Sequence, residues 1–141
     1  MKPENVMLDS EGYIRIVDFG LSKTKVKGST AWSICGTPEY LAPEVIWKMG
    51  HGKPVDWWAI GCILYELITG QPPYYSKSQE RLFKKIKAKP IKIPNKITED
   101  CKDLIKKLFQ KNPEKRLGSV EGAIELKRHP WFKKVDWDLL I

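Results

Sequence analysis

The stretch from Asp56 to Thr69 constrains the fold most strongly, because its side chains are apolar in nearly every direction. A helix of that composition is stable only when other elements cover most of its surface. Gly70 follows it directly, and glycine readily adopts the left-handed conformation that ends helices. The stretch therefore predicts a buried central helix, with the rest of the 141-residue chain packed around it.

The residues before this helix predict a β-hairpin and a long loop. Val6–Leu8 and residues 13–17 read as two short strands, and the Asp-Ser-Glu-Gly run at residues 9–12 is typical of a turn. Residues 21–37 are polar and have no apolar period, which indicates an exposed loop. Long ordered loops are often functional, so we expect this loop to matter for activity.

The residues after the central helix predict further helices. Apolar residues recur at helical spacing in three segments, which are residues 79–89, 98–109 and 120–128. Thr98 precedes two acidic residues, as the N-terminal caps of helices do. The whole pattern predicts a fold that is mainly α with a short β-hairpin.

Composition and charge narrow the classes of function. The formal net charge is +8, but the lysines are spread along the chain and mostly lie opposite apolar residues. That distribution is typical of solvated helix faces, so we expect no nucleic-acid binding. No apolar run reaches about 18 residues, so we expect no membrane span. The three cysteines are widely spaced, which favours free thiols in a reducing, cytoplasmic compartment.

Two short motifs flank the predicted hairpin and carry ligands for a hard metal ion. A Lys-Pro-Glu-Asn run occupies residues 2–5 and an Asp-Phe-Gly run occupies residues 18–20. Asn5 offers an amide oxygen and Asp18 a carboxylate, and Mg²⁺ prefers oxygen ligands. Lys2 can place a positive charge beside a phosphoryl group during its transfer. Asp-Phe-Gly alone could be any turn that ends a strand, but both motifs around one strand pair indicate phosphoryl transfer.

The two motifs resemble the end of a protein-kinase catalytic loop and the magnesium-binding motif of that family. The Gly-Thr-Pro-Glu-Tyr-Leu-Ala-Pro-Glu run at residues 36–44 resembles the end of a kinase activation segment. Residues 56–61 resemble the start of the family's central helix. Residues 115–118 contain an arginine that matches the one which, in kinases, pairs with the glutamate of the Ala-Pro-Glu motif. With the closing residues 129–137, the chain is similar to the AGC group of Ser/Thr protein kinases over essentially its whole length. The resemblance implies one partial kinase domain over residues 1–141, an incomplete large C-terminal lobe without the small N-terminal lobe.

The resemblance implies roles for the residues that match catalytic positions. Asn5 and Asp18 would bind Mg²⁺, and with Lys2 they would hold ATP. Lys2 would steady the γ-phosphate, and Thr37 would make a hydrogen bond in the catalytic loop.

Structural and regulatory roles follow from the same resemblance. Asp56 would brace the backbone of the catalytic loop, and Glu44 would pair with Arg116. Ser33 stands at the position of the activation-loop phosphorylation site, which implies an upstream activating kinase. A phosphate on Ser33 would add about −1.5 to −2 charges and would seek basic partners.

The resemblance also implies protein or peptide substrates with basic residues. The resemblance matches Glu4, Glu39 and Glu66 to positions of the cyclic-AMP-dependent kinase that bind substrate arginines. Those arginines lie upstream of the residue to be phosphorylated. Carboxylates in one groove would attract basic peptides despite the positive net charge, because these contacts are short and partly desolvated. The residue after the target would enter an apolar pocket lined by Ile34, Pro38 and Leu41.

Two hypotheses for function remain open at this stage. In the kinase signature the catalytic Asp lies two residues before the lysine, which here would be just before Met1, so that base is absent. One hypothesis is therefore that the chain is part of an ATP-dependent Ser/Thr protein kinase that acts on basic peptides, and that the chain is inactive by itself. The alternative is a catalytically inactive, truncated kinase lobe that binds proteins. The intact Lys2, Asn5 and Asp18 favour the first hypothesis, whereas the missing base and small lobe favour the second.

Overall fold

The computed structural model describes residues 1–20, 22 and 36–140. Two strands, β1 (Val6–Leu8) and β2 (Ile14–Ile16), form an antiparallel hairpin. The helices that follow in the described residues are α1 (Pro43–Ile46), α2 (Pro54–Thr69), α3 (Gln79–Ala88), α4 (Glu99–Leu108) and α5 (Ala123–Lys127). Single 3-10 turns lie at Pro3–Asn5, Pro38–Tyr40, Pro113–Lys115, Pro130–Phe132 and Asp138–Leu140. The prediction of a mainly α fold with a short hairpin is confirmed.

Helix α2 is the central element of the fold, and its two ends follow from its sequence. Pro54 stands in the first turn, where a missing amide proton costs nothing. Gly70 has a φ of +73° and donates its amide to the carbonyl of Glu66 at 2.7 Å, which ends the helix. Gly61 lets α4 approach closely, because a Cβ there would lie 3.1 Å from Cβ of Leu108. None of the helices in residues 1–20 and 36–140 has the length and hydrophobicity needed to cross a bilayer.

The core lies on one side of α2. Trp58 is completely buried and meets Phe109 edge to face, with ring centroids 4.9 Å apart. The other members of this core include Cys62, Tyr74, Leu82, Ile86 and Ile105. The prediction of burial on nearly every side is wrong for Leu67, which is 77% exposed. The physical reason is that the described elements that pack most extensively on α2, which are α4 and the turns at 38–40 and 113–115, leave that part of the helix surface uncovered.

Side-chain caps begin α3 and α4, whereas the carboxylate of a residue within α5 shortens that helix at its start. Ser78 accepts from the amide of Arg81 at 3.4 Å, and Thr98 accepts from the amide of Cys101 at 3.3 Å. The prediction of a last helix over residues 120–128 is too long at its start. Glu125 accepts backbone amide protons from Gly118 at 3.0 Å and from Val120 at 2.8 Å, and these bonds hold that segment in a turn.

The hairpin is closed by its own polar residues but carries an apolar surface. Asp9 accepts from the amide of Tyr13 at 2.8 Å and from Nε of Arg15 at 2.9 Å. The backbone hydrogen bond from Tyr13 is the main cause that lowers the pKa of Asp9 below its ordinary value. Leu8 and Ile14 face each other in the register and are 71% and 66% exposed.

A buried ion pair joins the segment before α2 to the segment after α4. Arg116 is 1% exposed, and its guanidinium donates to both carboxylate oxygens of Glu44, at 2.7 and 2.9 Å. It also donates to the carbonyls of Pro54 at 2.8 Å and Gln110 at 3.0 Å. Its carbon Cζ lies 5.2 Å from the centroid of the Trp58 ring. Nearly all the donor capacity of this arginine is therefore satisfied by acceptors from three parts of the chain, which are Glu44, Pro54 and Gln110.

Replacing Arg116 with methionine should destabilise the fold strongly, because the Glu44 carboxylate would stay buried without its cation. We expect the free energy of unfolding to fall by about 3–5 kcal/mol. Urea denaturation of the full chain, followed by circular dichroism, measures this change. The matched control is Arg128→Met, which breaks an exposed ion pair with Glu121 (3.0 Å) and should change stability by about 0–1 kcal/mol. Equal losses in the two variants would contradict this prediction.

Replacing Leu8 and Ile14 together with threonine should reduce self-association of the 141-residue chain. Exposed apolar patches promote association, and threonine keeps the preference for strand structure. We expect lower light scattering at unchanged protein concentration and a change in unfolding free energy within about 0.5 kcal/mol. Ile86→Ala, at a fully buried position, serves as the contrast and should cost about 2–5 kcal/mol. Unchanged scattering in the double variant would count against the idea that this face drives association.

Candidate functional site

The open end of the hairpin brings Asn5 and Asp18 to one edge. Val6 pairs with Ile16, and the amide of Val17 donates to the carbonyl of Asn5 at 2.9 Å. This bond extends the antiparallel ladder by one pair beyond the strands. Asp18 follows Val17, so its backbone lies one residue beyond the pair formed by Asn5 and Val17, although a whole hairpin separates Asn5 and Asp18 in sequence.

Asp18 adopts a conformation that few residue types accept readily. Its φ is +61°, in the left-handed region, where aspartate is more common than most other residues. The amide of Gly20 donates to Oδ1 of Asp18 at 3.3 Å, and a Cβ on residue 20 would lie 3.2 Å from that oxygen. Glycine at this position therefore allows the backbone to hold one carboxylate oxygen. Within the described residues no donor engages the other oxygen, Oδ2.

The donor set at this edge fits Mg²⁺. Asn5 and Asp18 supply two oxygen ligands, and in residues 1–20, 22 and 36–140 no group of three or more His, Cys, Asp or Glu side chains could hold a metal ion. Mg²⁺ usually takes one or two protein carboxylates and completes its octahedral shell with phosphate and water oxygens. A structural zinc ion, in contrast, needs four protein ligands of the nitrogen or sulfur type. The edge is therefore suited to a magnesium ion that arrives with a phosphate group.

Lys2 begins the tight turn that leads into this edge. It is half-buried and directly precedes the 3-10 turn Pro3–Asn5, whose last amide donates to the carbonyl of Lys2 at 3.0 Å. Pro3 fixes the first backbone angle of the turn. The turn therefore holds the cationic Lys2 and the candidate ligand Asn5 at a fixed separation along the backbone.

Asp56 is the acidic residue in the first turn of α2. Burial against surrounding protein raises the pKa of Asp56 above its ordinary value, and the charges of the Met1 ammonium and His51 act in the opposite direction. The proposed bracing of the catalytic-loop backbone by Asp56 stays a prediction.

An acidic corner forms around the hydroxyl of Tyr40. Tyr40 donates to Oε2 of Glu66 on α2 at 2.6 Å. Burial is the largest cause that raises the pKa of Tyr40 well above its ordinary value, and the hydrogen bond to Glu66 and the charges of Glu66 and Glu4 add to it. The charges of Glu4 and Glu66 therefore both act on one phenol, although the two residues are 62 positions apart in sequence. We call Glu4, Tyr40 and Glu66 the acidic corner.

The other predicted substrate residues lie nearby or outside the described residues. Glu39 and Pro38 belong to the turn that carries Tyr40. Leu41 is 8% exposed and packs in the core, so it can present only a small surface to a ligand. Ile34 and Ser33 fall outside the described residues. The apolar pocket and the phosphorylation site therefore stay predictions.

Thr37 and the pair Glu44–Arg116 occupy distinct positions around this segment. Thr37 is half-buried at the start of the turn Pro38–Tyr40, and its carbonyl accepts from the amide of Tyr40 at 3.1 Å. Its hydroxyl makes no capping hydrogen bond to that turn. Glu44, four residues after Tyr40, is held by Arg116 as described above. This anchor keeps the chain that follows the acidic corner in place.

Tyr40 is the functional candidate that sequence reasoning missed. Its hydroxyl meets a carboxylate 26 residues away, and no local spacing signals such a contact. The available signal was indirect, because Glu66 is the one acidic residue in the apolar part of α2 after Trp57. A charged side chain in such a helix requires a polar partner, and Tyr40 supplies it.

Comparison with known proteins agrees with this geometry. Residues 1–132 match the family described as the protein kinase domain. Protein kinase 2 from Dictyostelium discoideum is 49% identical over 99% of this chain, which corresponds to 29% of that relative. The serine/threonine-protein kinase Sgk1 from Homo sapiens is 44% identical over 100% of this chain and 33% of its own length. The cAMP-dependent protein kinase catalytic subunit PRKX from Homo sapiens is 45% identical over 98% of this chain and 38% of its own length.

The chain thus spans between about a quarter and two-fifths of the length of these relatives. The extent of the family match, together with identities far above those of chance similarity, establishes its membership. The chain belongs to the protein kinase family, and within it to the AGC group of Ser/Thr protein kinases.

Proposed function

We propose that this chain is part of an ATP-dependent Ser/Thr protein kinase that phosphorylates proteins at basic sequences. The observation that carries the proposal is the hairpin edge, where the Asn5–Val17 backbone pair brings Asp18 within one residue of the partner of Asn5 and Lys2 begins the adjoining turn. Phosphoryl transfer needs both metal ligands and a nearby cation, whereas a binding module needs neither.

In this proposal the residues of the hairpin edge bind and orient the nucleotide. Asn5 and Asp18 hold Mg²⁺ through oxygen atoms, and Lys2 contacts the γ-phosphate. Bound magnesium and ATP supply the transferable phosphoryl group and neutralise part of its charge. The amide of Gly20 keeps the Asp18 carboxylate oriented before the ligand arrives, which lowers the reorganisation needed during the reaction.

The proposed activity belongs to a longer protein that contains this chain. No Gly-x-Gly-x-x-Gly run and no catalytic Arg-Asp pair occur among the 141 residues, and kinases use both. We therefore propose one partial kinase domain over residues 1–141, inactive by itself and completed by other parts of the enzyme. Ser33 is the proposed target of an upstream activating kinase, and the proposed location is the cytoplasm.

The acidic corner supports the proposed preference for basic substrates. Glu66 keeps its carboxylate in a half-buried place, where charge–charge contacts are stronger than at an open surface. Tyr40 fixes one oxygen of that carboxylate, so Glu66 can offer its other oxygen to a cation of the substrate in one orientation. Glu4 adds a second negative charge nearby, and we place Glu39 with this group from its neighbouring position. Tyr40 is in this account a positioning residue.

Asp18→Asn should strongly reduce phosphoryl transfer by the full-length natural protein that contains this chain. Loss of the negative charge weakens the magnesium site where charge develops in the transition state, and we expect kcat to fall by at least about 100-fold. Transfer of labelled γ-phosphate to a basic peptide measures it. Glu11→Gln, at the exposed hairpin turn, is the control and should retain full activity. A wild-type protein that binds the peptide but never transfers phosphate would favour the alternative of a protein-binding module.

Glu66→Gln should raise the KM for an arginine-containing peptide about tenfold with little change in kcat. A hydrogen bond to a charged group contributes about 1.5–3 kcal/mol, and a factor of ten corresponds to about 1.4 kcal/mol. Tyr40→Phe should raise the same KM by a smaller factor, because the carboxylate stays but loses its fixed orientation. Glu80→Gln, an exposed acid on α3, is the matched control.

A peptide with alanine in place of arginine gives the decisive comparison for these variants. If the acidic corner reads basic residues, wild type, Glu66→Gln and Tyr40→Phe should have nearly equal KM values for that peptide. Equal losses on both peptides would mean that the substitutions damage the fold rather than substrate recognition.

A further inference from the structure

A basic groove lies beside α3, away from the residues assigned to phosphoryl transfer. It lies between the connection from α2 to α3 and the segment that follows α3, and its volume is about 250 Å³. We call it the lysine groove, and its lining residues are Pro73, Tyr74, Tyr75, Lys85, Lys89, Pro90 and Lys92. The lining contains three cationic residues and no acidic one.

Three hydrogen bonds hold the walls of this groove in place. The hydroxyl of Tyr74 donates to the carbonyl of Lys89 at 3.1 Å, and the hydroxyl of Tyr65 donates to the carbonyl of Lys92 at 2.9 Å. Nζ of Lys85 donates to the carbonyl of Tyr75 at 2.7 Å, which ties α3 to the opposite wall. The backbone that carries Lys89 and Lys92 is therefore anchored to the buried side of the fold. A groove with fixed walls loses little entropy when a ligand binds.

The positive charges of this groove lack acidic partners. Lys84 and Lys107 each form an ion pair with an acid one helical turn away, at 2.7 Å. Lys85, Lys89 and Lys92 form no ion pair with any carboxylate among the described residues. Lys85 has two further ammonium protons available after its bond to Tyr75. Three unneutralised cations around one concave surface repel one another, and an anion between them would relieve that repulsion.

The apolar part of the lining indicates what kind of molecule carries the anion. Tyr75 is 58% exposed and stands with Pro73 and Pro90 in the same groove. Such a surface can pack against an apolar side chain next to an acidic one. The volume suits one or two side chains, whereas a nucleic acid needs a longer track with several phosphate contacts. The charge and the size together favour a short peptide segment.

We propose that the lysine groove is a docking site for an acidic segment of a partner protein, in which Asp or Glu side chains alternate with apolar ones. Lys89 and Lys92 bind the carboxylates, and Tyr75 packs against the intervening apolar residue. The lysine groove is positively charged, whereas the acidic corner is negatively charged. The groove therefore binds an acidic segment of a partner, and the acidic corner is proposed to bind the basic segment that is phosphorylated. Docking here does not depend on kinase activity, since none of its residues belongs to the hairpin edge.

Fluorescence anisotropy of the full chain with a short labelled peptide of alternating glutamate and leucine tests this proposal. Lys89→Gln with Lys92→Gln should weaken binding at least about tenfold, whereas Lys89→Arg with Lys92→Arg should retain it. The matched control is Lys106→Gln with Lys115→Gln, which removes the same charge from exposed positions elsewhere. This control should change the affinity less than about threefold, because distant surface charges are screened by salt.

Several outcomes would overturn the proposal. Equal weakening by the two glutamine double variants would mean that only the net charge attracts the peptide. No binding of the peptide to the wild-type chain would exclude the site for acidic segments. Tighter binding of a single-stranded RNA oligonucleotide than of the peptide, lost in the same groove variant, would assign the groove to nucleic acid instead.

Circular dichroism melting of each variant, unchanged from wild type, would exclude unfolding as the cause of lost binding.

Discussion

The buried pair between Glu44 and Arg116 is the interaction on which the rest of this structure depends. Burying two charges is costly, and the attraction between them offsets that cost only when the geometry is good and the remaining donors are satisfied. Here the pair is bidentate, and two backbone carbonyls accept further hydrogen bonds from the same guanidinium. The carbonyl of Pro54 belongs to the first turn of α2 and that of Gln110 follows α4. One side chain therefore fixes α1, α2 and the end of α4 relative to one another.

This anchor also explains why the segment around Tyr40 has a defined place. The residues from Leu41 to Ile46 are all buried, so the chain between the turn at 38–40 and Glu44 cannot shift without opening the core. The tyrosine therefore meets Glu66 at a distance typical of a strong hydrogen bond to a carboxylate. Negative charge is concentrated in this corner while the chain as a whole carries +8. Local geometry, rather than total charge, determines what each surface can recognise.

The hairpin differs from the helical part in how it is stabilised. Its turn is held by Asp9 and by the backbone ladder, which are local interactions, but its two strands contain no buried residue. The helical part has a continuous core around Trp58, in which aromatic rings from α2, the α2–α3 connection and the residue after α4 meet. The candidate metal ligands thus lie on an element whose shape is set by turns, whereas the position of the helical core is set by packing.

Much of this fold follows from short-range rules that the sequence displays directly. Gly70 ends α2, Thr98 begins α4, and the Asp-Ser-Glu-Gly turn joins two strands, because each of these features depends on the conformational preference of neighbouring residues. The positions of the candidate metal ligands could be predicted in the same way, since one short hairpin connects them.

Tertiary structure alone decided the remaining features. The contact of Tyr40 with Glu66, the exposure of Leu67 and the convergence of Lys85, Lys89 and Lys92 on one groove all depend on atoms brought together from separate segments. Sequence periodicity states which face of a helix is apolar, but it carries no information on which distant group will satisfy a buried hydroxyl or carboxylate.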